Sequence, residues 1–113
     1  MRICVFDDTG DQYEVYNVKG MLSELLDEDI IIIYKSTKYF NELNKAISEL
    51  IELKLMTKTD GEDYDVNSVE RGLAYFKGEL IKRLGNDEMV KIDSEVELDW
   101  EENKPDLTKY KNN

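Results

Sequence analysis

Three groups of acidic residues in this chain of 113 have the types and spacing to do chemistry. Asp7 and Asp8 are adjacent at the end of the apolar run Ile3, Cys4, Val5, Phe6. Neighbouring carboxylates of this kind supply the hard oxygen ligands that magnesium prefers. Asp60, Glu62, Asp63 and Asp65 gather around Gly61, where they could hold calcium weakly or meet a cationic partner. Asp93, Glu95, Glu97, Asp99 and Glu101 alternate with apolar residues, and such a row suits the attraction of a basic surface. The residues of most other chemistries are missing. There is no histidine, so the usual imidazole base and the usual zinc ligand are absent. The single cysteine, Cys4, has no internal disulfide partner, and its apolar neighbours mark it as a buried strand thiol. The expectation is a non-enzymatic protein without cofactor or metal.

Each acidic group has a plainer reading. The Asp7-Asp8 pair resembles the paired acids of receiver domains and some phosphatases. In those proteins a helix follows and a further Asp closes a later strand, whereas here a β-rich run follows and the isoleucine run ends Tyr34-Lys35-Ser36. Turn acids in a hairpin are the reading adopted. Asp63, Asp65 and Asn67 have the first three ligand spacings of an EF-hand loop, but Ser68 stands where that loop needs Gly and Ala74 where it needs Glu. Residues 50–67 resemble the recognition helix and wing of a winged-helix regulator. The sequence before Met56 has room for one long helix instead of two shorter ones, and the wing is acidic where phosphate contact calls for bases.

The elements that must position these groups follow from turn chemistry and apolar periodicity. Residues 2–7 and 12–18 are short β-rich runs around Asp8-Thr9-Gly10-Asp11, which predicts an N-terminal hairpin. Val18, Met21, Leu22, Leu25 and Leu26 recur at helical spacing behind Asn17, a suitable N-cap. The four isoleucines at 30–33 predict a central strand, residues 30–34, buried on both faces. Ser36 or Thr37 then caps a second helix with the stripe Phe40, Leu43, Ile47, Leu50, Ile51. Residues 55–59 and 64–66 form either a small hairpin or a plain loop.

Asn67 and Glu70 have capping-box spacing ahead of a third helix, whose stripe is Val69, Leu73, Phe76, Leu80 and Leu84 and whose end is Gly85-Asn86. Gly72 and Gly78 within it read as tolerated on an exposed face, with close packing as the alternative. From Val90 the pattern alternates, Val90, Ile92, Val96, Leu98 and Trp100 inside and Lys91, Asp93, Glu95, Glu97 and Asp99 outside, which predicts a C-terminal strand. The fold class is α+β: a small mixed sheet, made of the hairpin, the Ile-rich strand and the alternating strand, packed with about three helices. Residues 1–102 form one domain and residues 103–113 a flexible tail.

The balance of 26 acids against 15 bases gives a formal charge of −11, which repels phosphate backbones and anionic membranes. Direct nucleic-acid binding and membrane association are therefore not expected. The N-terminus has no signal-peptide pattern and no apolar run is long enough to span a bilayer, so the expected location is the cytoplasm. In size, acidity and lack of catalytic motifs the chain resembles phage-encoded inhibitors of bacterial nucleases, including anti-restriction and anti-CRISPR proteins, some of which act as DNA mimics; for such a protein the location is the host cytoplasm. That resemblance implies a basic, nucleic-acid-binding protein partner such as a host defence nuclease. The partner-binding residues expected are Asp93, Glu95, Glu97, Asp99 and Glu101, with Trp100 or Tyr110 as aromatic anchors and Asp60, Glu62, Asp63 and Asp65 as a second patch. The alternatives are an adaptor domain whose acidity serves only solubility and a winged-helix regulator.

Overall fold

A computed structural model describes residues 3–52 and 66–104. The chain opens with the predicted hairpin: β1 (Ile3–Phe6) pairs antiparallel with β2 (Gln12–Val15), Ile3 opposite Val15 and Phe6 opposite Gln12. Its turn is built by Asp7. One carboxylate oxygen accepts from the Thr9 amide (2.9 Å), the Thr9 hydroxyl (2.6 Å) and the Asp11 amide (2.9 Å), while the other accepts from the Tyr13 hydroxyl at 3.1 Å. These bonds, that from the Thr9 hydroxyl first, hold the carboxyl below its ordinary range. Gly10 supplies the positive φ of 90°. Asp7 is thus a turn acid.

Helix α1 (Val18–Glu24) begins where expected, the Asn17 side chain accepting from the Gly20 amide at 3.1 Å. The next element overturns an expectation. The isoleucine run is no strand but part of α2 (Asp27–Glu52), a helix of 26 residues. Ile30, Tyr34, Thr37 and Asn41 are buried at helical spacing, while Ile32 is 49% exposed. Asp27, Glu28 and Asp29 occupy the first turn, where the helix dipole favours them. The β-branched penalty is only a few tenths of a kcal/mol per residue and is overcome by burial of one helical face. Ser36 and Thr37 therefore cap no helix. Thr37 instead reaches the free edge of β1, where its hydroxyl accepts from the Phe6 amide at 2.8 Å. Phe40, Leu43 and Ile47 are half-buried along the predicted stripe, and the side chains of Leu50 and Ile51 lie outside the described residues.

Helix α3 (Val66–Leu84) carries its predicted stripe inward, with Val69, Phe76 and Leu80 buried and Leu73 and Leu84 half-buried. It starts one residue before Asn67, which is therefore helical and not its cap. It ends at Gly85, whose φ is 94° and whose amide donates to the Ile81 carbonyl at 2.9 Å. Gly72 is buried, contrary to the exposed-face reading. A Cβ there would lie 2.4 Å from the Cys4 carbonyl oxygen, so glycine is what lets α3 close on β1. At Gly78 nothing approaches within 4 Å, and that reading holds.

The second correction is at the C-terminal end, where the alternating segment is helix α4 (Asn86–Asn103). Met89, Ile92 and Val96 are buried and Trp100 half-buried, at steps of three and four. Val90 and Leu98, which alternation placed inside, are 63% and 62% exposed. The apolar residues fit both periods, and two facts decide between them. Glu and Asp are poor strand formers, and β1 and β2 are the only strands among the described residues, so no ladder awaits this segment.

The core gathers around β1. Ile3 and Val5 pack with Val18, Leu22, Ile30, Tyr34, Phe76, Leu80, Met89 and Ile92. Cys4 and Phe6 turn the other way, onto Val69, Phe40 and Leu73. Cys4 is the buried strand thiol its context implied. The architecture is α+β, with a two-stranded sheet and four helices among the described residues. There the expected three-element sheet is reduced to the hairpin. No helix among the described residues is long and apolar enough to cross a membrane.

Candidate functional site

Helix α4 carries the largest of the acidic groups that the sequence singles out, and a helix distributes its residues differently from a strand. Residues two apart on a strand share a face, whereas on a helix they diverge by about 200° and residues four apart align. The expected ladder of five carboxylates therefore splits. Asp93 lies at the edge of the buried face, Glu95 and Asp99 form one pair a turn apart, and Glu97 and Glu101 form another.

Asp93 points inward, where the alternation placed it outward. Its Oδ1 accepts from the Tyr34 hydroxyl at 2.5 Å and from Lys38 Nζ at 2.9 Å, and its Oδ2 lies 3.3 Å from Lys77 Nζ. Its side chain is only 20% exposed. Burial pushes the carboxyl pKa up, but the bonds from Tyr34, Lys38 and Lys77 outweigh it and the result is a pKa below the ordinary range. Burial, with the Asp93 bond second, raises the Tyr34 phenol. This carboxylate ties α2, α3 and α4 together.

The remaining acids face solvent. Glu95 pairs with Lys35, and Glu101 with Lys104 at 3.1 Å. Asp99 Oδ1 accepts from Asn103 Nδ2 at 2.6 Å, a neutral donor. Glu97 and Glu102 form no ion pair among the described residues. Val90 and Leu98 stand exposed on the same outer side as Glu97 and Glu101. The last turn of α4 contains no base, so Asp99, Glu101 and Glu102 oppose the negative end of the helix dipole. Trp100 lies at the boundary between core and surface. It is half-buried, edge-on to Tyr39 with ring centroids 5.4 Å apart.

Beside Glu95 and Asp99 runs a groove of about 340 Å³ between α4, α2 and the hairpin turn. Its floor is Tyr39, Phe40 and Val96, and its rim Asp8, Glu95 and Asp99, with Lys35 and Ser36. Tyr39 and Phe40 meet edge to face, centroids 5.5 Å apart at 87°. Sequence reasoning missed this groove because it depends on α2 beginning at Asp27, which sets Lys35 and Tyr39 one turn apart. A second groove, about 480 Å³, lies between α1 and α3 over Val18, Leu22, Ala74 and Gly78, with Lys19 and Lys82 at its edges.

Asp60, Glu62, Asp63, Asp65 and Tyr110 lie outside the described residues, as do the EF-hand-like spacing before Val66, most of the winged-helix-like stretch and the tail after Lys104. No group of acids and cysteine among the described residues is arranged to hold a metal ion. Comparison with protein-family models, with curated proteins and with solved structures yields no match to this chain.

Proposed function

We propose that this chain is a non-enzymatic binding protein that docks the exposed carboxylates of α4 onto a basic protein partner. The observation that supports it most is the C-terminal half of α4. Five exposed acids, Glu95, Glu97, Asp99, Glu101 and Glu102, stand there, the last three against the helix dipole, and only Glu95 and Glu101 have a basic partner among the described residues. Like charges a turn apart and acids in a last turn both reduce helix stability. A partner that supplies the missing cations offsets that cost. Asp93, bound within the fold, is not part of this surface.

In its sharper form the partner is a nucleic-acid-binding protein such as a nuclease, whose phosphate-binding groove receives these carboxylates, and the chain acts as its inhibitor. A location in the cytoplasm follows from that reading. A row of carboxylates chiefly speeds association and rejects wrong partners, so binding weakens as salt rises. The test is capture of a basic partner at low salt, followed by titration of the purified pair with rising salt. Duplex DNA serves as control. The purified chain leaves DNA unretarded in a gel shift, because net repulsion opposes contact. Salt-insensitive binding of the partner, or salt-sensitive retardation of DNA at micromolar protein, contradicts the proposal.

A further inference from the structure

We propose that the groove between α2, α4 and the hairpin turn is the receptor for an arginine side chain of the basic partner, an inference that rests on the docking reading above and gives it an anchor point. The groove combines an aromatic floor with an anionic rim. Tyr39 and Phe40, perpendicular to each other, both line it. The negative face of an aromatic ring attracts a cation, and a guanidinium stacks on it better than an ammonium does. Val96 and Phe40 supply apolar wall for the methylene stem. At about 340 Å³ the space is at the small end of ligand sites, the scale of one long side chain.

The charges are arranged for the same guest. Of the rim groups, Lys35 and Glu95 neutralise each other. Asp8, from the hairpin turn, and Asp99, from α4, are left without a base among the described residues, and they stand on different walls. Asn103 holds Asp99 by Oδ1 and leaves Oδ2 for a further donor. A guanidinium presents five N–H donors in one plane and pairs with carboxylates in a geometry that an ammonium lacks. The molecule shows this preference once already: Arg83 donates to Asp27 and Glu79 and to the carbonyls of Leu22 and Leu25, at 2.7–3.0 Å. That arginine is fully engaged within the fold, and the guest proposed for the groove is one from the partner.

The experiment is an amide NMR titration of the intact protein with a blocked Gly-Arg-Gly peptide, its lysine counterpart and its neutral citrulline counterpart. The arginine peptide shifts the amides of Asp8, Lys35 to Phe40 and Glu95 to Asp99 and the indole N–H of Trp100. The lysine peptide binds several-fold more weakly and the citrulline peptide does not saturate. Asp8→Asn with Asp99→Asn weakens the arginine peptide roughly tenfold. Glu24→Gln with Glu28→Gln, exposed acids around the start of α2 and away from the groove, changes it less than about twofold. Unchanged amide spectra away from each substitution show that the fold persists. Shifts centred elsewhere, equal binding of the citrulline peptide, or equal loss in the two double variants overturns the proposal. If the peptide fails while a basic partner still binds with salt dependence, the groove reading falls and the docking reading stands. Peptide binding with no basic partner gives the reverse.

Discussion

Asp93 and Asp99 stand less than two turns apart on one helix, carry the same carboxylate and have opposite fates. Asp93 receives a tyrosine hydroxyl and is the shared counter-charge of two lysines. Asp99 has a single neutral donor from its own helix and no base among the described residues. The difference shows that acidity in this chain serves two ends, internal attachment on one edge of α4 and an uncompensated surface on the other. Composition alone merges the two.

The largest effect expected from breaking this contrast is at Asp93. Asp93→Ala leaves Lys38 and Lys77 facing each other and the buried Tyr34 hydroxyl without its acceptor, and it should destabilise by about 2–3 kcal/mol in urea unfolding. Asp99→Ala should change stability by less than about 0.5 kcal/mol. Equal losses would erase the distinction.

Acid titration sharpens it further. Because the Asp93 carboxyl pKa is lowered in the fold, its stabilisation is complete above the ordinary carboxyl range and is lost as pH falls through the lowered value. Asp93→Asn should therefore flatten the loss of stability below about pH 4, measured by denaturant unfolding across pH. The smallest effect has the opposite sign. Glu102→Lys replaces an acid with a base at the negative end of α4, and it should raise the unfolding midpoint by about 2–5 °C. A fall would mean that these acids stabilise the helix and need no partner to explain them.

These contrasts bear on what was legible before the structure. The hairpin, the Asn17 cap, the stripe of α3 and its stop at Gly85 all follow from local chemistry, in which a few adjacent residues decide the outcome. The two misread segments depend on what is available to pair with. Ile30 to Ile33 favour a strand by propensity, but acids at 27–29 start a helix and Ile30 and Tyr34 bury one face of it. Residues 90–100 alternate, yet Met89, Ile92, Val96 and Trp100 also satisfy a helix, which is selected by the poor strand propensity of the acids between them and by the lack of a strand to pair with among the described residues. The candidate surface was half legible for that reason. Its residue types were visible in the sequence, whereas the inward turn of Asp93 and the separation of Glu95 and Asp99 from Glu97 and Glu101 required the helical period.

The central claim, that the outer carboxylates of α4 bind a basic protein, is tested most directly by one variant measured in two ways. Glu97→Lys, Asp99→Lys and Glu101→Lys together reverse the surface and leave Asp93 and the buried face of α4 intact. Affinity for the captured basic partner at about 50 mM salt, below the screening of physiological solutions, should fall on the order of a hundredfold, with the thermal midpoint unchanged or raised. A folded triple variant that binds with undiminished affinity would contradict the account.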